Sequence, residues 1–253
     1  MRLVAHLSDL HFGRVHRAAL EPLRRRLVEL APHLVVVSGD LTQRARAGQF
    51  REARAFLDSL PRPQVVVPGN HDVPLYNVLA RFLRPLGGFR RFIARDVEPS
   101  FVDDEIAVLG VNTARSFVFK GGRVSGAQLA RVSRELCALN GGVTKMVVTH
   151  HPYMALEPLA RCGVDVLMAG HLHDAHVVER VLGLRALMVQ AGTATSSRTR
   201  EEPNSFNLLR VERGRIEVEQ HVLNGAGFVR ASAEAFERGE AGWTRCGPRR
   251  EPS

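Results

Sequence analysis

Five short runs of apolar, mostly β-branched residues recur along the chain: Leu3-Val4-Ala5-His6-Leu7, Leu34-Val35-Val36-Val37, Val65-Val66-Val67, Met146-Val147-Val148 and Val166-Leu167-Met168. Runs this short, apolar throughout rather than alternating, predict strands covered on both faces, as in a parallel sheet. Each is followed within a few positions by polar residues: Asp9-Leu10-His11, Gly39-Asp40, Gly69-Asn70-His71-Asp72, His150-His151 and Gly170-His171-Leu172-His173. Ligands in open α/β sheets bind beyond the carboxyl ends of the strands. The five polar ends are therefore expected to meet at one rim.

Between the first three runs the period changes from continuous to three and four. Leu20, Leu23, Leu27 and Leu30 mark a helix over residues 18–30, and Ala53, Phe56, Leu57 and Leu60 mark another over 52–60, giving β-α-β-α-β. A helix is also expected over 75–86, closed by Gly87-Gly88, with 89–99 irregular and a strand over 106–111. Ser125 is the expected N-cap of a helix carrying Leu129, Val132 and Leu136. After residue 173 the runs are short and joined by tight turns (177–182, 184–189, 205–211 and 216–223), which predicts an antiparallel region. Two sheets packed face to face, with helices outside both, accommodate this pattern. One domain is expected over 1–223, with 224–253 a C-terminal extension holding a short helix near 232–237 and a disordered end from about 245.

Composition adds limits. The chain has 253 residues, enough for one large domain or two small ones, and the polar ends run from residue 9 to 173 without a boundary. Its start reads as a strand rather than a signal segment, and no apolar run approaches membrane-spanning length, so no transmembrane segment is expected. Three cysteines, odd in number and widely spaced, argue against a disulfide framework or a zinc knuckle and fit a cytoplasmic setting. Net charge is +9, but Lys120 and Lys145 are the only lysines and the arginines are scattered through helical segments without interleaved aromatics. That patterning reads as solvated faces, and no stable nucleic-acid binding is expected.

The polar ends carry aspartate, histidine and asparagine, and no cysteine. Imidazole with carboxylate and amide oxygen suits a divalent first-row ion such as Zn, Fe or Mn. The set exceeds what one ion needs, which argues for two ions sharing a carboxylate, the arrangement used to hydrolyse phosphate esters. A lone histidine is more often a core or surface residue, and His6, His16, His33, His176 and His221, which match none of the polar ends, are read that way. The small, polar stretch 192–200 follows an apolar run soon after the last polar end; it is expected to return to the rim as a flexible loop, with Arg198 either binding a substrate phosphate or base or merely solvated.

The order Asp-x-His, Gly-Asp, Gly-Asn-His-Asp, His, Gly-His-x-His resembles the signature of the calcineurin-like metallophosphoesterases over residues 3–190. Ser8-Asp9-Leu10-His11, Gly39-Asp40-Leu41-Thr42, Pro68-Gly69-Asn70-His71-Asp72 and His150-His151-Pro152 resemble the class III cyclic nucleotide phosphodiesterase branch most. The resemblance implies a four-layer α-β-β-α sandwich of two mixed β-sheets flanked by helices. It implies two divalent metal ions (Mn, Fe or Zn). Asp9, His11, Asp40 and His173 would hold one, with Asp40 bridging to a second on Asn70, His150 and His171. Asn70 and His71 would touch the substrate, and Asp72 would orient His71 or its turn. Of the adjacent His150 and His151, the family's His-x-Pro pattern selects His150, since consecutive strand residues point opposite ways. The implied activity is hydrolysis of a small phosphodiester or nucleotide through a metal-bridging hydroxide, with a 3',5'-cyclic nucleotide as first substrate. The alternative is a UDP-2,3-diacylglucosamine-type pyrophosphohydrolase of lipid precursor synthesis, for which the basic charge and the apolar 75–86 stretch speak. A protein-binding scaffold of the same fold, which would have lost ligands, is disfavoured because every position of the signature is filled.

Overall fold

The computed structural model describes residues 1–116, 121–152, 157–179, 185–197 and 202–247. Their strands form two sheets. The first three, β1 (Arg2–Leu7), β2 (Leu34–Val37) and β3 (Gln64–Val66), pair in parallel. The last four, β10 (Ser205–Glu212), β11 (Arg215–Asn224), β12 (Gly227–Gly239) and β13 (Gly242–Cys246), extend the same sheet antiparallel from the other edge of β1, giving the order β13-β12-β11-β10-β1-β2-β3. The middle of the chain builds the second sheet from β4 (Ser100–Val102), β5 (Ile106–Gly110), β6 (Thr144–Val148), β7 (Val166–Ala169), β8 (His176–Val178) and β9 (Leu187–Gln190), in the order β4-β5-β6-β7-β9-β8. Its four central strands are parallel, and β4 and β8 run antiparallel along its edges.

The alternation of side chains along each strand sorts the core into three slabs. Val4, Val36, Val65, Met146, Met168 and Val189 fill the space between the sheets. Ala5, Leu7, Val35 and Val37 face the other way, onto Leu23 and Leu27 of α1 (Arg17–Leu30) and Phe50 and Leu57 of α2 (Ala47–Asp58). Leu109, Val147 and Leu167 face outward onto Val132 and Leu136 of α5 (Gly126–Cys137). Helix, sheet, sheet and helix thus stack in four layers, the expected α-β-β-α sandwich, and central strands such as β2, β5, β6, β7 and β9 are buried on each face as their apolar runs require.

Several local expectations are corrected. The 75–86 stretch is not one helix: α3 (Val78–Leu83) stops, and α4 (Gly87–Phe92) begins at the glycines meant to end it. Pro85 disfavours helical backbone at Arg84, and Gly88 lies so close to the Phe50 ring that a Cβ would collide with it. The glycines serve a close packing of α4 on α2 rather than a stop. Residues 232–237 are strand, within β12, because the edge of β11 along Arg215–Asn224 offers paired hydrogen bonds that outweigh the helix propensity of an Ala- and Glu-rich run. The stretch after 223 therefore completes the first sheet, up to β13. The antiparallel strands from 205 onward belong to the first sheet, and the second sheet holds the fourth and fifth polar ends. Cys137 and Cys162 form a disulfide that ties the end of α5 to the 3-10 turn Glu157–Cys162, against the expectation of no disulfide; Cys246 is free. Helix packing brings together two cysteines 25 positions apart, a proximity their spacing does not signal.

Candidate metal centre

Every parallel strand in the core of the sandwich points its carboxyl end to one edge, and the polar ends meet there from both sheets. Asp9 and His11 follow β1, Asp40 follows β2, Asn70–Asp72 form a 3-10 turn after β3, His150 follows β6, and His171 and His173 follow β7. Five of these residues, Asp9, His11, Asp40, His171 and His173, have φ between 51° and 73°, left-handed backbone that side-chain-bearing residues seldom adopt. Such strain persists where surrounding contacts over-determine it and clusters at functional sites. The contacts are close. A Cβ on Gly170 would run into Ser8 Oγ and Asp9 Oδ2, and one on Gly69 into the backbone and carboxylate of Asp40. Glycine at 170 lets the end of the second sheet approach Asp9 on the first, and glycine at 69 lets the turns after β2 and β3 close on one another.

The donor atoms crowd at spacings that match a coordination sphere. His11 Nε2 lies 3.4 Å from Asp9 Oδ1, His173 Nε2 lies 3.2 Å from the same oxygen, and the two ring nitrogens are 3.4 Å apart. On the other side, His150 Nε2 stands 3.4 Å from Asp40 Oδ2 and 3.1 Å from Asn70 Oδ1. Asp40 Oδ2 is also 3.8 Å from His11 Nε2, so this carboxylate faces both groups. For bonds of about 2.0–2.2 Å, neighbouring ligands on a tetrahedral or octahedral ion lie roughly 3.0–3.5 Å apart. Asp9 Oδ1 is buried without a hydrogen-bond donor, a costly state for a carboxylate oxygen that a cation relieves.

Hydrogen bonds behind the rim aim these groups. His150 Nδ1 donates to the Ser38 carbonyl at 2.8 Å, which leaves the Nε2 lone pair for the site. Asp9 Oδ2 accepts from Ser8 Oγ at 2.6 Å and from the His171 amide at 3.0 Å, leaving Oδ1 as its open atom. The His71 amide donates to Asp40 Oδ1 at 2.8 Å, and His71 Nδ1 donates to the Gln43 carbonyl at 2.9 Å, turning its Nε2 outward. Asp72 does not touch the His71 ring. Its carboxylate accepts from the amides of Gly69, Leu41 and Thr42 and from the Thr42 hydroxyl, pinning the 3-10 turn to the end of β2. Of the two roles expected for Asp72, the geometry selects the turn.

The electrostatics favour a cation. Burial opposes charge on Asp9, yet the imidazoles of His11 and His173 beside Oδ1, with His150 nearby, hold its carboxyl well below the usual range. Asp40 is lowered against burial by His150, and His150 is raised against burial by Asp40, to about 9. A positive charge between Asp40 and His150 is thus favoured. Burial and the charge of His150 keep His171 neutral, at about 4, and His151 at about 2. Negative oxygens and neutral imidazole lone pairs are the donor set a divalent ion takes. Asp72 is raised to about 6 by burial and by Asp40, against the three amides.

Sequence reasoning set His151 aside, but its ring centroid lies 4.8 Å from that of His150 and 4.7 Å from that of His171. Nδ1 is 2.8 Å from Thr113 Oγ1, and Nε2 is buried without a partner. Strand alternation does not govern this pair because β6 ends at Val148 and the chain bends through His150–Pro152. Ser8 and Ser38, which orient Asp9 and His150, were also missed; each directly precedes or follows a strand end, the one signal available. Gly192–Ser197 does return to the rim: the Ala194 amide donates to the Ser8 carbonyl and Thr195 Oγ1 to the Leu10 carbonyl, each at 2.9 Å, with Ala194, Thr195 and Ser196 buried. Arg198 lies outside the described residues. His6 and His221 are buried and hydrogen-bonded, to Ser38 and to Glu219 respectively.

Comparison with known proteins bears on the family and the fold. The calcineurin-like phosphoesterase family matches residues 2–175. A zebrafish (Danio rerio) transmembrane protein with metallophosphoesterase domain is 29% identical over 187 residues, 68% of this chain and 40% of the relative. A glycerophosphodiester phosphodiesterase, GpdQ, of Enterobacter lignolyticus is 34% identical over 100 residues, 33% of this chain and 34% of the relative. The chain thus spans well under half the length of these curated relatives. Among solved structures, purple acid phosphatase PPD1 of yellow lupin superposes with a TM-score of 0.70 at 12% identity, covering all of this chain and 57% of that one. Vps29 of Chaetomium thermophilum superposes at 0.55 with 16% identity, covering 93% and 97%. The chain belongs to the calcineurin-like phosphoesterase family.

Proposed function

We propose that this chain is a dinuclear-metal phosphodiesterase, with Asp9, His11, Asp40 and His173 around one ion and Asp40, Asn70, His150 and His171 around the other. The observation that carries the reading is the position of Asp40, whose Oδ2 faces His11 on one side and His150 on the other. When bound, two divalent ions supply a water acidified enough to attack phosphorus near neutral pH and neutralise charge on the phosphoryl oxygens. The chain's own residues do the rest. Asp40 is held by the His71 amide, so the two donor groups keep a fixed separation. His150 is locked by Ser38 and Asp9 by Ser8 and His171, which presents lone pairs rather than N–H groups to the ions. His71 directs Nε2 into the rim at a ring distance of 5.0 Å from His11, where it reaches a phosphoryl oxygen or the leaving oxygen. No side-chain nucleophile is required.

Among phosphodiesters, a 3',5'-cyclic nucleotide is the first substrate we propose, on the resemblance of the polar ends, and a glycerophosphodiester the second, on the partial likeness to GpdQ. A panel of cyclic nucleotides, glycerophosphodiesters, nucleotide-sugar pyrophosphates and phosphomonoesters, offered to the Mn-loaded chain, tests this. The expected result is turnover of a diester well above any monoester. Preference for a monoester would overturn the diester assignment, and no turnover of any ester would leave the fold in a non-catalytic role.

A further inference from the structure

His151 is a buried histidine at the rim that the coordination proposed above leaves unused. The residue is 2% exposed, and its Nε2 is shut off from water with no hydrogen-bond partner among the described residues. A buried polar atom without a partner is costly, and a cation relieves that cost. The rest of the residue is held firmly. Its amide donates to Thr113 Oγ1 at 3.3 Å, its Nδ1 lies 2.8 Å from the same oxygen, and its carbonyl accepts from Thr149 Oγ1 at 2.8 Å. A Cβ on Gly122 would come within 2.7 Å of its Cβ, Cγ and Nδ1, so the chain packs directly against the ring. Thr113 Oγ1 has one lone pair for the amide and a second for Nδ1–H; with Nδ1 donating there, Nε2 is a bare lone pair. A metal-bound imidazole has its other nitrogen held in this way, and the Ser38 carbonyl does the same for His150.

The spacing of the rings fits a single ion. Ring centroids lie 4.8 Å apart for His150 and His151, 4.7 Å for His151 and His171, and 5.1 Å for His150 and His171, and one nitrogen from each ring lies within 4.8 Å of the others. An imidazole bound at about 2.0–2.1 Å carries its centroid roughly 3.2 Å from the metal, so rings about 90–109° apart around one ion have centroids roughly 4.5–5.2 Å apart. His11 and His173, placed on the first ion, stand at a similar 5.3 Å. Distance alone does not decide, since His71 is 5.0 Å from His11. His71 is only partly buried, however, whereas water does not reach Nε2 of His151.

We propose that His151 is a further ligand of the second ion through Nε2, which places three imidazoles on that ion with Asp40 and Asn70. The inference rests on the dinuclear reading above. Three imidazoles suit Zn²⁺ better than the two carboxylates, Asp9 and Asp40, of the first position, so zinc is the probe. The test reads binding without turnover. Zn²⁺ is titrated calorimetrically into metal-stripped chain, wild type beside His151→Phe, which fills the buried space without a nitrogen. The Co²⁺-loaded forms are compared by proton NMR, in which each bound imidazole gives one exchangeable, hyperfine-shifted N–H signal. The wild type is expected to take two equivalents and to show a signal for each of His11, His150, His151, His171 and His173. In His151→Phe the first equivalent should bind as in the wild type, the second about tenfold or more weaker, with one signal lost. Thr113→Val keeps the ring and removes its hydrogen-bond partner; it should also weaken the second equivalent, which keeps the test open if His151→Phe does not fold. Only four signals in the wild type, or a His151→Phe chain that keeps the wild-type signals or binds the second equivalent with wild-type affinity, would overturn the inference and leave the dinuclear reading standing. A wild-type chain that takes one equivalent would overturn both.

Discussion

His71 occupies the most informative single position at the rim. It follows Asn70 directly, its amide holds Asp40 and its Nδ1 is tied to the Gln43 carbonyl, so only Nε2 is free to act. Burial lowers its pKa, with Asp40 acting in the opposite direction. An imidazole whose protonated form is disfavoured is a ready proton donor once a substrate phosphate stabilises that form. The two roles open to it, proton donor and charge stabiliser, separate by leaving group. A nitrophenolate departs without a proton, and an alkoxide does not. His71→Ala is expected to lose about 10²–10⁴-fold on an alkyl diester and much less on a nitrophenyl diester, with metal content unchanged. Equal losses on both would remove the proton-donor role and leave electrostatics.

At the scale of elements, the strands and their polar ends were legible because a strand buried on both faces leaves a continuous apolar run, and because the turn after each one needs a small or polar residue. Helices α1, α2 and α5 were legible by period, and the Ser125 cap by its hydroxyl, which accepts from the Gln128 amide. What escaped was set by partners distant in sequence. Residues 232–237 have the composition of a helix and become strand only because β11 presents an edge; α4 starts at Gly87 because Phe50 leaves no room for a Cβ at Gly88. His151 escaped because the alternation rule stops where β6 stops.

The same first sheet holds a titratable cluster that links an element to stability. Glu219 on β11 is buried, accepts from Arg210 Nε at 2.6 Å and lies 2.9 Å from His221 Nε2. Against burial, these partners lower its pKa to about 2 from the usual 4.5. A carboxyl depressed in the folded state stabilises the fold above its unfolded pKa and loses that contribution as pH falls from about 4.5 towards 2. Glu219→Gln is expected to cost about 1–3 kcal/mol at pH 7, with the difference from wild type shrinking below pH 4.5. Urea unfolding at a series of pH values measures it, and a difference that does not depend on pH would assign the loss to packing instead.

Across the whole molecule, the donor set is divided between the sheets: Asp9, His11, Asp40 and Asn70 come from the first, and His150, His171 and His173 from the second. Among the described residues no helix is long and apolar enough to cross a membrane. The rim exists only because the sandwich aligns the carboxyl ends of both sheets, so ions bound there clamp the layers and should raise the melting temperature in proportion to binding. Asp40, whose Oδ2 faces both His11 and His150, is the carboxylate we propose as the shared ligand. The most direct measurement is the rate of phosphodiester hydrolysis as Mn²⁺ is titrated into metal-stripped chain, wild type beside Asp40→Asn. Two ions sharing Asp40 predict a rate that climbs through the second equivalent in the wild type, and an Asp40 variant that neither retains two equivalents nor turns over. Full rate at one equivalent, or two equivalents retained by the Asp40 variant, would contradict the account.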